Sequence, residues 1–158
     1  MAALRKLAEG LGWQDVQTYI QSGNLVFAAS GRASAHQAAL EAAIRDRFGF
    51  DVPVVVCALA DMKKALAACP FGDEAEARAN LVHIGFTTNK LSKGLVADLK
   101  PYCTNGERVA VQGPFLWSDC PNGVGRSKLT PAVLDRAVGA SVTMRNAKTL
   151  RAIVAMQP

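Results

Sequence analysis

The stretch PNGVGRSKLTP, residues 121–131, sets two glycines, an arginine, a serine and a lysine immediately before a helix-start signal. Backbone amides at a helix N-terminus attract anions, glycine lets a ligand approach the chain, and Arg126 and Lys128 add positive charge. Thr130 suits an N-cap and Pro131 the first helical position, so a helix is expected from Pro131 to Val138. One reading makes Gly125, Arg126, Ser127 and Lys128 a phosphate-type anion site. The other makes Asn122-Gly123 and Val124-Gly125 plain turns, with the two cations solvated or paired to a carboxylate. G-x-x-x-x-G-K-[ST] is absent and G-x-G-x-x-G is not completed, so no named nucleotide motif decides between them.

Arg145 and Asn146 form a second candidate, because they directly precede the expected last helix. Arg145 would bind an anion beside that helix's positive end. Alternatively, Asn146 only caps the helix and Arg145 pairs with Asp135 or with backbone carbonyls. The polar hairpin tip Gln21, Ser22, Gly23 and Asn24 is a secondary candidate whose turn chemistry is sufficient explanation by itself.

Other chemistry is poorly represented. Cys57, Cys69, Cys103 and Cys120 contain no C-x-x-C pair, and His36 and His83 stand alone, so neither a metal nor a cofactor is expected. Asp73, Glu74 and Glu76 suggest a solvated acidic loop. Ser127 beside Lys128 lacks S-x-x-K spacing and a base. No complete catalytic motif is present, which leaves open whether the chain is an enzyme.

Charge placement favours the last third of the chain. The formal net charge is +5, and between Arg126 and Arg151 lie six basic residues against Asp135 alone, an excess equal to the whole net charge. Such a surface attracts anions. Aromatic residues make up only 6% of the chain, too few to favour a base-stacking platform, so nucleic-acid contact is a weaker alternative resting on charge alone. No apolar run reaches the roughly 18 residues of a membrane span. Arg5, Lys6, Glu9 and Asp15 make the start unlike a secretion signal, so a cytoplasmic protein with reduced thiols is expected.

The periodicity predicts elements that would carry these groups. Leu4, Leu7 and Leu11 give an amphipathic helix. A hairpin turns at Ser22-Gly23, with Ile20 facing Leu25 and Tyr19 facing Val26. A helix follows from Ser34 to Phe48, then a doubly buried strand at 53–59 and a short helix at 62–68 capped by Asp61. After these come strands in NLVHIGF, RVAVQG, PFLWSD and SVTM, with helices at 92–99, 131–138 and 146–155. Residues 80–155 thus read strand, helix, strand, strand, helix, strand, helix, and residues 2–68 read the same without the opening strand. The expectation is an α+β chain of two tandem ferredoxin-like (split βαβ) subdomains. The first, residues 1–70, is incomplete; the second, 80–158, carries an extra C-terminal helix. Strand edges left without neighbours invite another chain, which makes homo-oligomerisation through them an expectation.

YIQSGNLVF at 19–27, GRSKL at 125–129 and TMRN at 143–146 together resemble the bacterial domain-of-unknown-function family numbered 1697. The resemblance implies tandem ferredoxin-like subdomains and no established activity. Members of that family usually begin with a further strand and a glycine-rich stretch, and carry threonine and tryptophan where Met144 and Ala147 stand here. The leading functional expectation is a binding module for a nucleotide or phosphorylated metabolite at Gly125, Arg126, Ser127, Lys128, Arg145 and Asn146. Its rival is an enzyme with part of its site in the missing amino-terminal segment.

Overall fold

The structure, a computed structural model, describes residues 1–156 apart from the side chains of Glu74 and Ala75. The elements run α1 (Ala2–Gly10), β1 (Gln14–Tyr19), β2 (Asn24–Ala28), α2 (Ala33–Phe48), α3 (Leu59–Ala67), α4 (Asp73–Ala77) and β3 (Val82–Phe86). They continue with α5 (Leu95–Leu99), β4 (Arg108–Gln112), β5 (Phe115–Asp119), α6 (Pro131–Val138), β6 (Thr143–Asn146) and α7 (Ala147–Ala155). This is an α+β chain with two antiparallel sheets. It divides into two compact units, residues 60–151 and residues 1–59 together with the chain from Ala152 onward.

In the unit of residues 60–151 the strand order is β4-β5-β3-β6, every pairing antiparallel. The apolar run around Val82–Phe86 takes the central position, where a strand is buried on both faces and a continuous apolar sequence is favoured. Strand alternation sends Leu116, Val109, Val111 and Met144 to one face, where they pack with Leu95, Leu99, Leu134 and Val142. Val82, Ile84 and Trp117 occupy the other face and are fully buried. The sequence-based strand at 141–144 begins two residues later than expected, because the Val142 amide donates at 2.7 Å to the Asp135 carboxylate and is tied to α6.

In the other unit, Ala8 of α1 and Leu40 and Ile44 of α2 form a core with Trp13, onto which Leu25, Phe27 and Val54 pack. Trp13 stacks on Phe27 with ring centroids 3.9 Å apart. The hairpin pairs Thr18 with Leu25 and Tyr19 with Asn24, so its turn spans Ile20 to Gly23 rather than Ser22-Gly23 alone. Ile20 itself enters the left-handed region at φ 48°. A shift of two residues preserves which side chains share a face. Arg32 is the N-cap residue of α2, so the helix opens at Ala33 rather than Ser34, and α3 starts ahead of Asp61 at Leu59. The acidic stretch forms the short helix α4 instead of a loop; the Glu74 side chain lies outside the described residues.

The strand expected at 53–59 is not formed: residues 53–58 carry no ladder and Leu59 opens α3. Residues of high β propensity still need a neighbour to receive their backbone hydrogen bonds. Among the described residues β2 pairs with β1 alone, and no strand lies alongside 53–58.

Close approach at the centre of the larger sheet demands glycine at position 85. A Cβ there would stand 2.7 Å from the Met144 sulfur, 3.0 Å from Val142 Cγ1 and 3.3 Å from Leu116 Cβ. Gly85→Ala should therefore lower stability by about 1–3 kcal/mol in urea unfolding. Combined with Met144→Ala, the loss should be smaller than the sum of the two single losses, since the second change removes the nearest clash.

Candidate functional site

One end of the four-stranded sheet gathers the groups of interest. Arg108, at the start of β4, pairs with Asp119, at the end of β5, and His83 of β3 pairs with Asn146 of β6. The chain leaves β5 here, passes through residues 120–130 and enters α6. The loop, the start of β4 and the start of α7 therefore converge on the same sheet end.

The loop closes mostly upon itself. Gly123 N–H donates to the Cys120 carbonyl at 2.8 Å, Arg126 N–H to Gly123 at 3.2 Å and Ser127 N–H to Val124 at 3.1 Å, forming a short 3-10 turn at Val124–Arg126. The Ser127 hydroxyl accepts from Leu129 N–H at 3.1 Å, and Thr130 caps α6 by accepting from Val133 N–H at 3.4 Å, as its sequence position implied. These amides are spent within the loop. What remains outward is the exposed backbone of Gly125, followed by the exposed side chains of Arg126 and Lys128, and a Cβ at Gly125 would meet open space beyond its chain neighbours.

Ser127 is turned the other way. It is half-buried, and its hydroxyl lies close enough to the buried Glu107 carboxylate and the Cys120 thiol to act on both groups. Burial by itself would push the Glu107 carboxyl up; the Asn105 amide at 2.7 Å, the Ser127 hydroxyl, Glu107's own amide and the Lys128 charge outweigh it and hold the group below its usual range. Burial pushes the Cys120 thiol up, against hydrogen bonds from Ser118 and Ser127 that act to lower it. The neutral thiol is thus favoured, and nucleophilic chemistry at Cys120 is disfavoured. Asn122 ties the same region together by donating to the Asn105 carbonyl at 2.9 Å. Gly106 takes φ +82°, a backbone conformation that residues with side chains rarely adopt.

Arg145 and Asn146 immediately precede α7, as the sequence implied, but they lie within β6 and so project from opposite faces of the sheet. Arg145 donates to the Met144 carbonyl at 2.9 Å, and burial lowers its guanidinium below its usual value. The Asn146 side-chain oxygen caps α7 by accepting from Thr149 N–H at 2.7 Å. At the hairpin tip, the Asn24 amide donates to the Tyr19 carbonyl at 3.1 Å and to Ser22 at 2.9 Å. The tip belongs to the other compact unit.

Two carboxylates at this sheet end escaped sequence reasoning. Glu107 offers no periodic signal. Asp119 is 1% exposed, and its Oδ2 accepts from Arg78 at 3.0 Å and from Arg108 at 2.7 and 3.1 Å. The Arg108–Asp119 partnership was readable in principle, since a two-residue turn at Gly113-Pro114 sets these residues opposite one another. Among the described residues no group of three or more His, Cys, Asp or Glu is placed to hold a metal ion, and no helix is long and apolar enough to cross a membrane.

Glu107 links the loop to stability in a pH-dependent way. A carboxylate with a depressed folded value contributes stability that is complete above the unfolded value of about 4.3 and disappears as pH falls through the folded value. Glu107→Gln should therefore cost stability at pH 7. The difference from the parent chain in urea midpoint should shrink below about pH 4.

Comparison with known proteins adds the lineage. No curated protein matches the chain. A solved structure of the conserved bacterial protein SP0830 from Streptococcus pneumoniae matches with a TM-score of 0.71 and 22% identity, over 99% of this chain and 87% of that one. At that identity the likeness establishes the fold. A family model described as "Protein of unknown function (DUF1697)" matches residues 1–117, a stretch that contains YIQSGNLVF but ends before GRSKL and TMRN. With about three quarters of its length matched and the architecture shared, the chain belongs to the DUF1697 family.

Proposed function

We propose that the protein is a binding module for phosphate-type anions, such as a nucleotide or phosphorylated metabolite, and that Arg126 and Lys128 are its charged contacts. The observation that carries this reading is the alternation in the loop: Ser127 is half-buried on the side of Glu107 while Arg126 and Lys128, on either side of it, are exposed next to the open backbone of Gly125. An anchored loop holds its cations in place before a ligand arrives, which lowers the ordering entropy that binding must overcome. Ser127 is then a positioning residue. Asn146, from its place at the same sheet end, is a peripheral member of the set. Arg145, half-buried on the opposite face, contributes positive potential rather than a direct contact. The tip residues Gln21, Ser22, Gly23 and Asn24 serve the turn. The four free thiols fit a reducing, cytoplasmic setting.

A melting-temperature survey with inorganic phosphate, pyrophosphate and nucleotides tests this. A ligand at a hundredfold excess over its dissociation constant should raise the melting temperature by about 5 °C or more. Arg126→Ala with Lys128→Ala should abolish the rise. An unchanged melting temperature across the panel removes the small-ligand reading. Binding to RNA or DNA that collapses with added salt, in the absence of that rise, gives the surface to nucleic acid instead.

A further inference from the structure

Strand β5 carries two buried polar atoms that no other group of the protein satisfies. Among the described residues three such side-chain atoms occur: His36 Nε2, Trp117 Nε1 and Asp119 Oδ1. His36 belongs to the other compact unit. Trp117 and Asp119 stand two residues apart on β5, so strand alternation sends both side chains to the same face of the sheet. Buried polar groups are nearly always hydrogen-bonded, because an unmet donor or acceptor carries the full cost of leaving water. Two exceptions so close together on one strand point to a common cause.

Their chemistry is complementary. The indole nitrogen of Trp117 can only donate, and the ionised carboxylate of Asp119 can only accept. Oδ2 of that carboxylate already accepts from Arg78 at 3.0 Å and from Arg108 at 2.7 and 3.1 Å, which fixes the group and leaves Oδ1. The indole is fixed as well: Phe71 meets it edge-on with ring centroids 6.5 Å apart, and the Arg108 guanidinium lies 4.8 Å over the same Phe71 ring. Phe71 therefore adjoins both the Trp117 ring and the arginine that holds Asp119, which sets the two unsatisfied atoms in one neighbourhood. Across the ladder Val82 pairs with Asp119 and Ile84 with Trp117, and both of these apolar side chains are fully buried. An occupant here must accept from an N–H, donate to a carboxylate oxygen and fit a place closed to solvent. An anion is repelled by Oδ1, and a cation offers the indole nothing to donate to. Water does both.

We infer that one buried water molecule is a fixed part of this sheet end, accepting from Trp117 Nε1–H and donating to Asp119 Oδ1. Side chains rooted about 7 Å apart on one face of a strand can bring their ends within the roughly 5.6 Å that a single bridging water spans. Such a water is a structural component, held by polar groups that would otherwise go unmet. It gives the Asp119 carboxylate a donor on the oxygen that the arginines leave, and it ties the Trp117 ring to the Arg78–Asp119–Arg108 cluster in one hydrogen-bonded network.

The indole proton of Trp117, identified by its contacts with Phe71, tests this in the intact 15N-labelled chain. Paired NOESY and ROESY spectra should show a dipolar cross-peak from that proton to water, with the sign of a molecule held for as long as the protein tumbles. Its hydrogen exchange should be slower than that of a free indole by about tenfold or more. A protected indole proton without the water cross-peak means that the N–H bonds the carboxylate directly, and overturns the inference. An indole proton that exchanges freely also overturns it, because the place is then open to bulk solvent.

Discussion

The carboxylate of Glu107 holds the candidate site in its present shape. It is buried, yet it lies below the ordinary carboxylate range because the Asn105 amide, the Ser127 hydroxyl and the Lys128 charge favour its ionised form over the cost of burial. Two loops meet there. One, around Asn105 and Gly106, leads into β4; the other, residues 120–130, leads from β5 to α6. Beside them Ser127 is half-buried, while Arg126 and Lys128 on either side of it are exposed.

The same sheet end shows how the fold manages charge. Asp119 is almost wholly buried, and it is tolerated because Arg78 and Arg108 converge on it from partly exposed positions. A buried ion pair is weak evidence for stability, but removing one partner leaves the other charge without compensation. Arg108 also stands 4.8 Å above the Phe71 ring, which fixes it further. Two neighbouring carboxylates thus draw the cations of this region into different roles: Arg78 and Arg108 are drawn towards the sheet, while Lys128 lies near Glu107 from an exposed position. The excess of cations counted late in the sequence is therefore not one uniform surface. Arg151 is paired with Glu76 at 2.6 Å, and Arg145 lies against its own backbone.

How much of this was legible depended on whether the deciding contacts were local. Helix α6 was read to its limits because Thr130, Pro131 and Gly139 mark its ends within the sequence itself. The hairpin's pairing lies two residues away from the one that a Ser22-Gly23 turn implies, yet the same side chains share each face, since a displacement of two residues preserves parity. Residues 53–58 defeated the reading because a ladder is a property of two strands, and β-branched composition describes only one of them. In the sequence, Arg145 and Asn146 look like a joint pre-helix feature. Once β6 extends to Asn146, strand alternation separates their side chains. Glu107 was invisible because its partners lie up to about twenty residues away across a loop, with no periodic pattern to announce them.

The central claim is that Ser127, anchored by Glu107, presents Arg126 and Lys128 as a ready-made anion contact. The most direct measurement follows backbone amide resonances while inorganic pyrophosphate is titrated into the chain at low ionic strength. The account predicts saturable shifts concentrated at Gly125, Arg126 and Lys128, which disappear in the Glu107→Ala chain even though both cations are retained. Shifts centred elsewhere, or shifts unaltered by that substitution, would contradict it.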